Sequence, residues 1–343
     1  MAALTQRQQM LLKMVVDGHV ELGQPVGSKW LSEQSLVTWS PSTIRYELAQ
    51  LEELGYLNHP HTSAGRVPTD AGYRFFADSL LREGAPLDRR SRFEQELSSM
   101  RREVDAAMRA TTETLSQVTD LLAAVSAPPV HTATLKHIEV LLLQEQVALV
   151  VIITSTGAVS KRAFTFDEPI DAGLADWGAS YLNERLAGMD LGALTLRSKL
   201  DSPELSATER SFLESIAPAF SDLADTVEQT VYIEGTARLL SSRGFEQVGD
   251  INNLLRMLER RVTLLSVLRS ALDQPSVYLS IGHENEAPEL RSASVVAASY
   301  GLGHRTLGTV SVIGPVRMDY RRAITSVRSA AHALSSFVEE VYE

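Results

Sequence analysis

A multidomain α+β protein is predicted by three features: the chain length, a change of texture near Pro128-Pro129, and an N-terminal run of helical signals closed by two short strand signals. At 343 residues the chain exceeds what one ordinary core organises, so two or three domains of roughly 100–150 residues are expected. Up to the prolines, apolar residues recur at helical spacing. Beyond them strand texture appears over 138–143, 147–154 and 159–166 and returns over 276–281, 293–300 and 309–313. Mostly helical sequence lies between, notably 172–186, 208–229 and 248–272. Two strand-rich portions separated in this way suggest one α+β domain interrupted by an insertion. The expected divisions are an N-terminal unit over 1–82, a linker helix and first strand-rich part over 83–166, an inserted segment over 167–236, and the second strand-rich part over 237–343.

In the first unit, Leu11, Leu12, Val15 and Val16 form an apolar stripe at helical spacing, closed by Gly18 and a Gly23-Gln24-Pro25 break. A short helix follows near 28–34. Ser40 is placed to cap a third helix, Pro41 fits its first turn where a missing N–H costs nothing, and Ile44, Leu48, Leu51 and Leu54 line its core face. Gly55 supplies a left-handed stop. Tyr56-Leu57-Asn58 and Arg66-Val67-Pro68 read as two short strands around a polar tip, and Thr69-Asp70 starts a fourth helix through Leu81. Three helices followed by a hairpin make a winged helix-turn-helix. A linker over 83–86 leads into a predicted helix over 88–125, whose heptad positions include Phe93, Leu97, Met100, Val104, Ala107, Thr111 and Leu121. Its threonines weaken the seam, which favours packing within its own domain over an intermolecular coiled coil. No internal repeat or low-complexity tract is present.

Composition narrows the function. Hydrophobic residues at 44% and charged residues at 22% exclude a disordered or fibrous chain. The absence of cysteine excludes a disulfide framework, a thiolate metal site and a Cys nucleophile, and suits a reducing cytoplasm. The longest apolar stretch, 140–153, is broken at Gln144, Glu145 and Gln146 and falls short of the ~20 residues that span a bilayer. Gln6, Arg7, Gln8 and Gln9 interrupt any signal-peptide core. A cytoplasmic protein with no membrane partner is expected, nucleoid-associated when bound to DNA.

A formal net charge of −11 runs against the basic character usual in DNA binders. Residues 1–82 are no exception: Arg7, Lys13, Lys29, Arg45, Arg66, Arg74 and Arg82 face Asp17, Glu21, Glu33, Glu47, Glu52, Glu53, Asp70 and Asp78, seven against eight. DNA affinity must then rest on a few placed groups. The N-terminal end of a recognition helix meets base edges, and here it offers Ser42, Thr43, Arg45 and Tyr46, with Ile44 inward. Arginine can bind a guanine edge with two parallel hydrogen bonds. Arg45 is therefore the leading base reader, the competing arrangement being an ion pair with a neighbouring Glu. The hairpin tip carries His61, Thr62 and Ser63, then a flexible Gly65 and Arg66, with no acidic residue from Asn58 to Thr69. That set suits a phosphate backbone or minor groove, and equally a simple polar turn.

The run from Pro60 to Arg74, PHTSAGRVPTDAGYR, resembles the signature of the HrcA family of heat-inducible transcription repressors, preceded by Thr43-Ile44-Arg45 and Leu51-Glu52-Glu53-Leu54-Gly55. Downstream, Ile281-Gly282-His283-Glu284-Asn285 and Gly314-Pro315-Val316-Arg317-Met318-Asp319-Tyr320 are similar to two further motifs of that family. At Tyr46 the chain departs from the family pattern, which commonly has Asn after the Ile-Arg pair. The resemblance implies a winged helix, a GAF-like domain and a dimerising domain inserted into it. It also implies a homodimer that binds an inverted-repeat operator in double-stranded DNA upstream of chaperone operons of the groE and dnaK type. Repression would then depend on the GroEL chaperonin and lift on heating.

No cofactor, metal or catalytic residue is expected. The alternative is a winged-helix regulator controlled by a small molecule in the GAF-like domain, with Gly157, Gly282, Gly301 and Gly303 lining a pocket, although glycines at strand ends usually make turns. For an enzyme, His283-Glu284 and the distant His304 are the one tempting cluster, and their spacing gives neither a metal pair on one helix face nor a nucleophile with its base. Arg317 and Asp319 read as structural, with Asp319 placed to favour the start of the last helix.

Overall fold

The computed structural model describes residues 4–35, 37–60, 65–84, 92–98, 104–127, 134–154, 159–189, 205–220, 231–241, 245, 248–259, 268, 272, 277–303 and 305–342. Helix α1 (Gln6–Leu22) opens with a reciprocal cap, in which Thr5 Oγ1 accepts from Gln8 N–H and the Gln8 side chain accepts from Thr5 N–H. Leu11, Leu12, Val15 and Val16 are fully buried, each contributing at most about 1.5–3 kcal/mol from removal of apolar surface from water. The helix stops at Gly23, held at φ 67°. Helix α2 (Ser28–Ser32) is shorter than expected. Helix α3 (Pro41–Glu53) starts as predicted, with Ser40 Oγ accepting from Thr43 N–H and Pro41 in the first turn.

Strands β1 (Leu57–Asn58) and β2 (Val67–Pro68) pair antiparallel, and a backbone bridge joins Val26 to Arg66. Helix α4 (Asp70–Glu83) is capped by Thr69, whose hydroxyl donates to Gly55 O at 2.7 Å and accepts from Gly72 N–H. That one side chain ties the end of α3 to the start of α4.

The predicted helix over 88–125 is corrected. It comprises α5 (Arg92–Ser98) and α6 (Val104–Thr119), and ends at Asp120, which takes a left-handed φ of 58°. Leu122–Ser126 is strand β3, buried at all five positions. A short apolar run buried on both sides fits a heptad and a strand equally well, which is why heptad spacing ran on into it. Helix α6 packs on the sheet and on the last helix of the same chain, as its threonines suggested. Thr112 and Thr119 return their hydroxyls to Met108 O and Leu115 O and so sit in the core without orphaned groups.

Two sheets follow. Strands β4 (Leu135–Gln144), β5 (Val147–Thr154) and β6 (Val159–Thr165) form an antiparallel meander. Its inner face, including Ile138, Val140, Val150 and Ile152, shares a core with α7 (Ala172–Leu186) and α8 (Ala207–Ile216) through Leu182, Phe212 and Ile216. The second sheet is antiparallel with five strands. It contains β3 with β7 (Val231–Glu234), β8 (Tyr278–Ile281), β9 (Ala293–Leu302) and β10 (Arg305–Pro315) in the order β7-β3-β10-β9-β8. Helices α9 (Thr236–Ser241) and α10 (Val248–Glu259) contribute to the core on one face, with Leu122, Val295 and Ile313. Helices α6 and α11 (Tyr320–Tyr342) cover the other.

This arrangement moves the boundaries expected at 167 and 236. Strands β4–β6 do not join the later strands; the buried face of their meander finds its partner layer in α7 and α8. Strand β7, expected within the insertion, pairs with β3. The described residues of β4–β6, α7 and α8, which lie between β3 and β7 in sequence, share a core of their own.

Candidate nucleic-acid interface

The first turns of α3 present an exposed face. Ser42, Arg45 and Tyr46 are exposed, Thr43 is half-buried, and Ile44, Leu48 and Leu51 face the core. Ser40 Oγ lies 2.8 Å from Ser42 Oγ and 3.0 Å from Thr43 Oγ1, so three hydroxyls cluster at the helix N-terminus. The Tyr46 ring is 65% exposed. Glu47, the next residue along the helix, is buried and pairs with Arg7 at 3.1 Å, while the Arg7 guanidinium lies over the Trp39 ring. The ion pair considered for Arg45 does not form among the described residues; its Nε donates to Ser28 Oγ at 3.3 Å. Sequence reading missed Ser28, which α2 sets beside Arg45. It stands 17 positions upstream, and no periodicity links the two.

His61, Thr62 and Ser63 lie outside the described residues. Arg66 departs from the expectation of a free cation at the hairpin root. Its Nη2 is 2.8 Å from Glu52 Oε2, its side chain is only 19% exposed, and its backbone exchanges hydrogen bonds with Val26. The charge faces α3. Gly65 is there for close approach rather than flexibility, since a Cβ would overlap the Val26 backbone.

His283 and Glu284 form no reactive centre. They meet α4: Asp70 Oδ2 accepts from the His283 backbone N–H at 3.0 Å and lies 2.9 Å from its ring Nδ1, and Arg74 forks onto Glu284. No group of three or more potential metal ligands exists among the described residues. His304 and Gly157 lie outside them. Of the other glycines, Gly282 sits against Asp70, Gly301 pairs with Thr306 near the end of β9, and Gly303 lies in the turn between β9 and β10. Asp319 caps α11 as expected, accepting from Arg322 N–H at 3.0 Å. No helix among the described residues is long and apolar enough to cross a membrane.

The family model described as HrcA protein C terminal domain matches residues 105–324. A heat-inducible transcription repressor HrcA of Halalkalibacterium halodurans is 33% identical, with 99% of each chain covered. The protein of the same name from Desulforamulus reducens is also 33% identical, over 98% of each chain. The crystal structure of a hypothetical protein shares the fold, with a TM-score of 0.66 and 23% identity over 99% of this chain and 100% of that one.

Proposed function

The chain belongs to the HrcA family of heat-inducible transcription repressors, and we propose that it represses by seating α3 in the major groove of an inverted-repeat operator as a homodimer. The observation that carries this reading is the exposed hydroxyl and arginine face of α3, Ser42, Thr43, Arg45 and Tyr46, with Glu47 of the same helix buried and paired to Arg7. In this reading α2 and α3 are the helix-turn-helix and the β1–β2 hairpin is the wing. His61, Thr62 and Ser63 at its tip approach the backbone or minor groove. Arg66 acts at one remove, holding the wing against α3 through Glu52.

The five-stranded sheet with α6 and α11 is the GAF-like part, and the segment between β3 and β7 is the dimerising insertion. Its meander supports that role. Leu141, Leu143 and Val159 are exposed on the outer face, Val147, Leu149, Val151 and Ile153 are half-buried there, and Glu139 and Lys161 flank Val151 on opposite strands. An apolar face with an acid on one side and a base on the other is self-complementary about a two-fold axis. Chaperonin dependence rests on family resemblance: a chaperonin that favours the DNA-competent state raises its population, and unfolded clients that occupy it lower that population.

The test is a footprint on DNA upstream of chaperone genes, with and without purified GroEL. Protection of an inverted repeat that strengthens with chaperonin and weakens when an unfolded client is added is the expected result. Protection indifferent to chaperonin would leave intrinsic thermal instability as the heat sensor, and no protection of any repeat would overturn the operator reading.

A further inference from the structure

The stretches around 70–74, 281–285 and 314–320 are more than 200 residues apart in sequence at their extremes, yet they meet in one joint between the α3-bearing unit and the five-stranded sheet. On the sheet side the 281–285 turn is built in advance. Asn285 is buried and its Nδ2 donates to Gly282 O, Leu290 O and Ala293 O at 2.9–3.0 Å, while Glu284 Oε2 accepts from Ile281 N–H at 2.8 Å. Gly282 has φ 54°, and a Cβ there would overlap the Asp70 carboxylate.

Into this turn α4 delivers Asp70 and Arg74, four residues apart and hence on one helix face. Arg74 Nε donates to Glu284 Oε1 at 2.8 Å, and its Nη2 donates to Glu284 Oε2 and, at 2.7 Å, to Leu279 O. A planar fork with three acceptors fixes direction, which a single point charge would not. Beside it the Tyr73 ring lies 5.7 Å from that of Tyr320, which is buried and hydrogen-bonded to Ser294 and Val316. Tyr73 Oη lies 2.7 Å from Nδ1 of His19 on α1.

We propose that Asp70 and Arg74, with His283 and Glu284, are positioning residues for operator recognition: they set the angle at which each sheet carries its recognition helix, and so the half-site separation that the dimer accepts. The path is short. The joint occupies the first turns of α4, and Thr69 at the head of that helix is bonded to Gly55 at the foot of α3. A rotation at the joint therefore turns α3 as a body. This rests on the operator reading above.

The experiment uses full-length wild type, Arg74→Ala, Glu284→Ala, the double variant and Arg74→Lys. Each is checked by thermal melting and by binding to a duplex with one half-site. The second probe is a full inverted repeat, selected by the wild type from a randomised inverted-repeat library, together with versions whose half-sites are moved by one to five base pairs. In the folded variants, half-site affinity should stay within about twofold, full-operator affinity should fall about tenfold or more, and the preference for one spacing should flatten. The double variant should be no worse than either single one, and Arg74→Lys should keep the charge yet lose the spacing preference. Unchanged spacing preference in folded Arg74→Ala and Glu284→Ala would overturn the joint's role while leaving the operator reading intact. A wild type that binds half-sites but shows no preference for any paired arrangement would overturn both.

Discussion

At the scale of single residues, the exposed face of α3 and the root of the hairpin divide the work of two arginines. Arg45→Ala should leave folding intact, cost about 1–3 kcal/mol of operator binding and shrink the gap between operator and random duplex. Competition binding on both duplexes checks this, and equal losses on the two would mean that Arg45 anchors phosphate. Arg66→Ala should instead show up in thermal melting, because its guanidinium, only 19% exposed, pairs with Glu52 of α3 within the fold. His19 supplies a pH prediction. Burial, with the Arg317 charge near it, holds its imidazole down to about 4 from the ordinary 6.5. Between those values the folded protein binds fewer protons than the unfolded chain, so the stability contributed by neutral His19 is complete above about pH 6.5 and is lost as pH falls toward about 4. His19→Gln should flatten that part of a melting-temperature profile measured from pH 7 to 4. Of the residues singled out from sequence, those on α3 were legible because a capped helix with a clear core face leaves its other face known. The role of Arg66 was not legible, since its partner stands 14 positions upstream on another element.

At the scale of elements, close approach decides more than propensity. The hairpin is two residues long on each side and owes its place to the Val26–Arg66 bridge over Gly65. Gly65→Ala should therefore cost about 1–3 kcal/mol by forcing the backbones apart, and should weaken operator binding without touching α3. Chemical denaturation together with half-site binding tests it, and wild-type stability would mean that the strands separate freely. Sequence reading located α1, α3, α4 and most strands because caps, glycine stops and period-two alternation are local signals. It ran β3 into a helix and did not pair β7 with it, because pairing partners are not local. The alternating burial of β5 against the unbroken burial of β3 separates a sheet covered on one face from one covered on both, and residue type does not reveal it because both strands are almost wholly apolar.

At the scale of the molecule, the chain between β3 and β7 leaves and returns at adjacent positions, for Ser126 and Val231 are paired across the two strands. Replacing residues 127–230 with a two-residue Asn-Gly turn should convert these strands into an ordinary hairpin and leave a folded body. That body should sediment as a monomer, keep half-site binding and lose tight binding to the paired operator through lost bivalency. A truncated protein that still sediments as a dimer would place the contact elsewhere.

The same strand order has a consequence for how the protein is made. Strand β3 lies between β7 and β10, and Ser126 bonds to Thr309, 183 residues further along. During synthesis, β3 leaves the ribosome long before the strand that covers its inner edge exists, and five buried residues wait in water for most of the chain's translation. The body cannot close until almost the last helix has been made. Late closure leaves a nascent chain with an open apolar edge until β10 has been made, so the order of strands in the sheet, rather than the order of synthesis, decides when the body is finished.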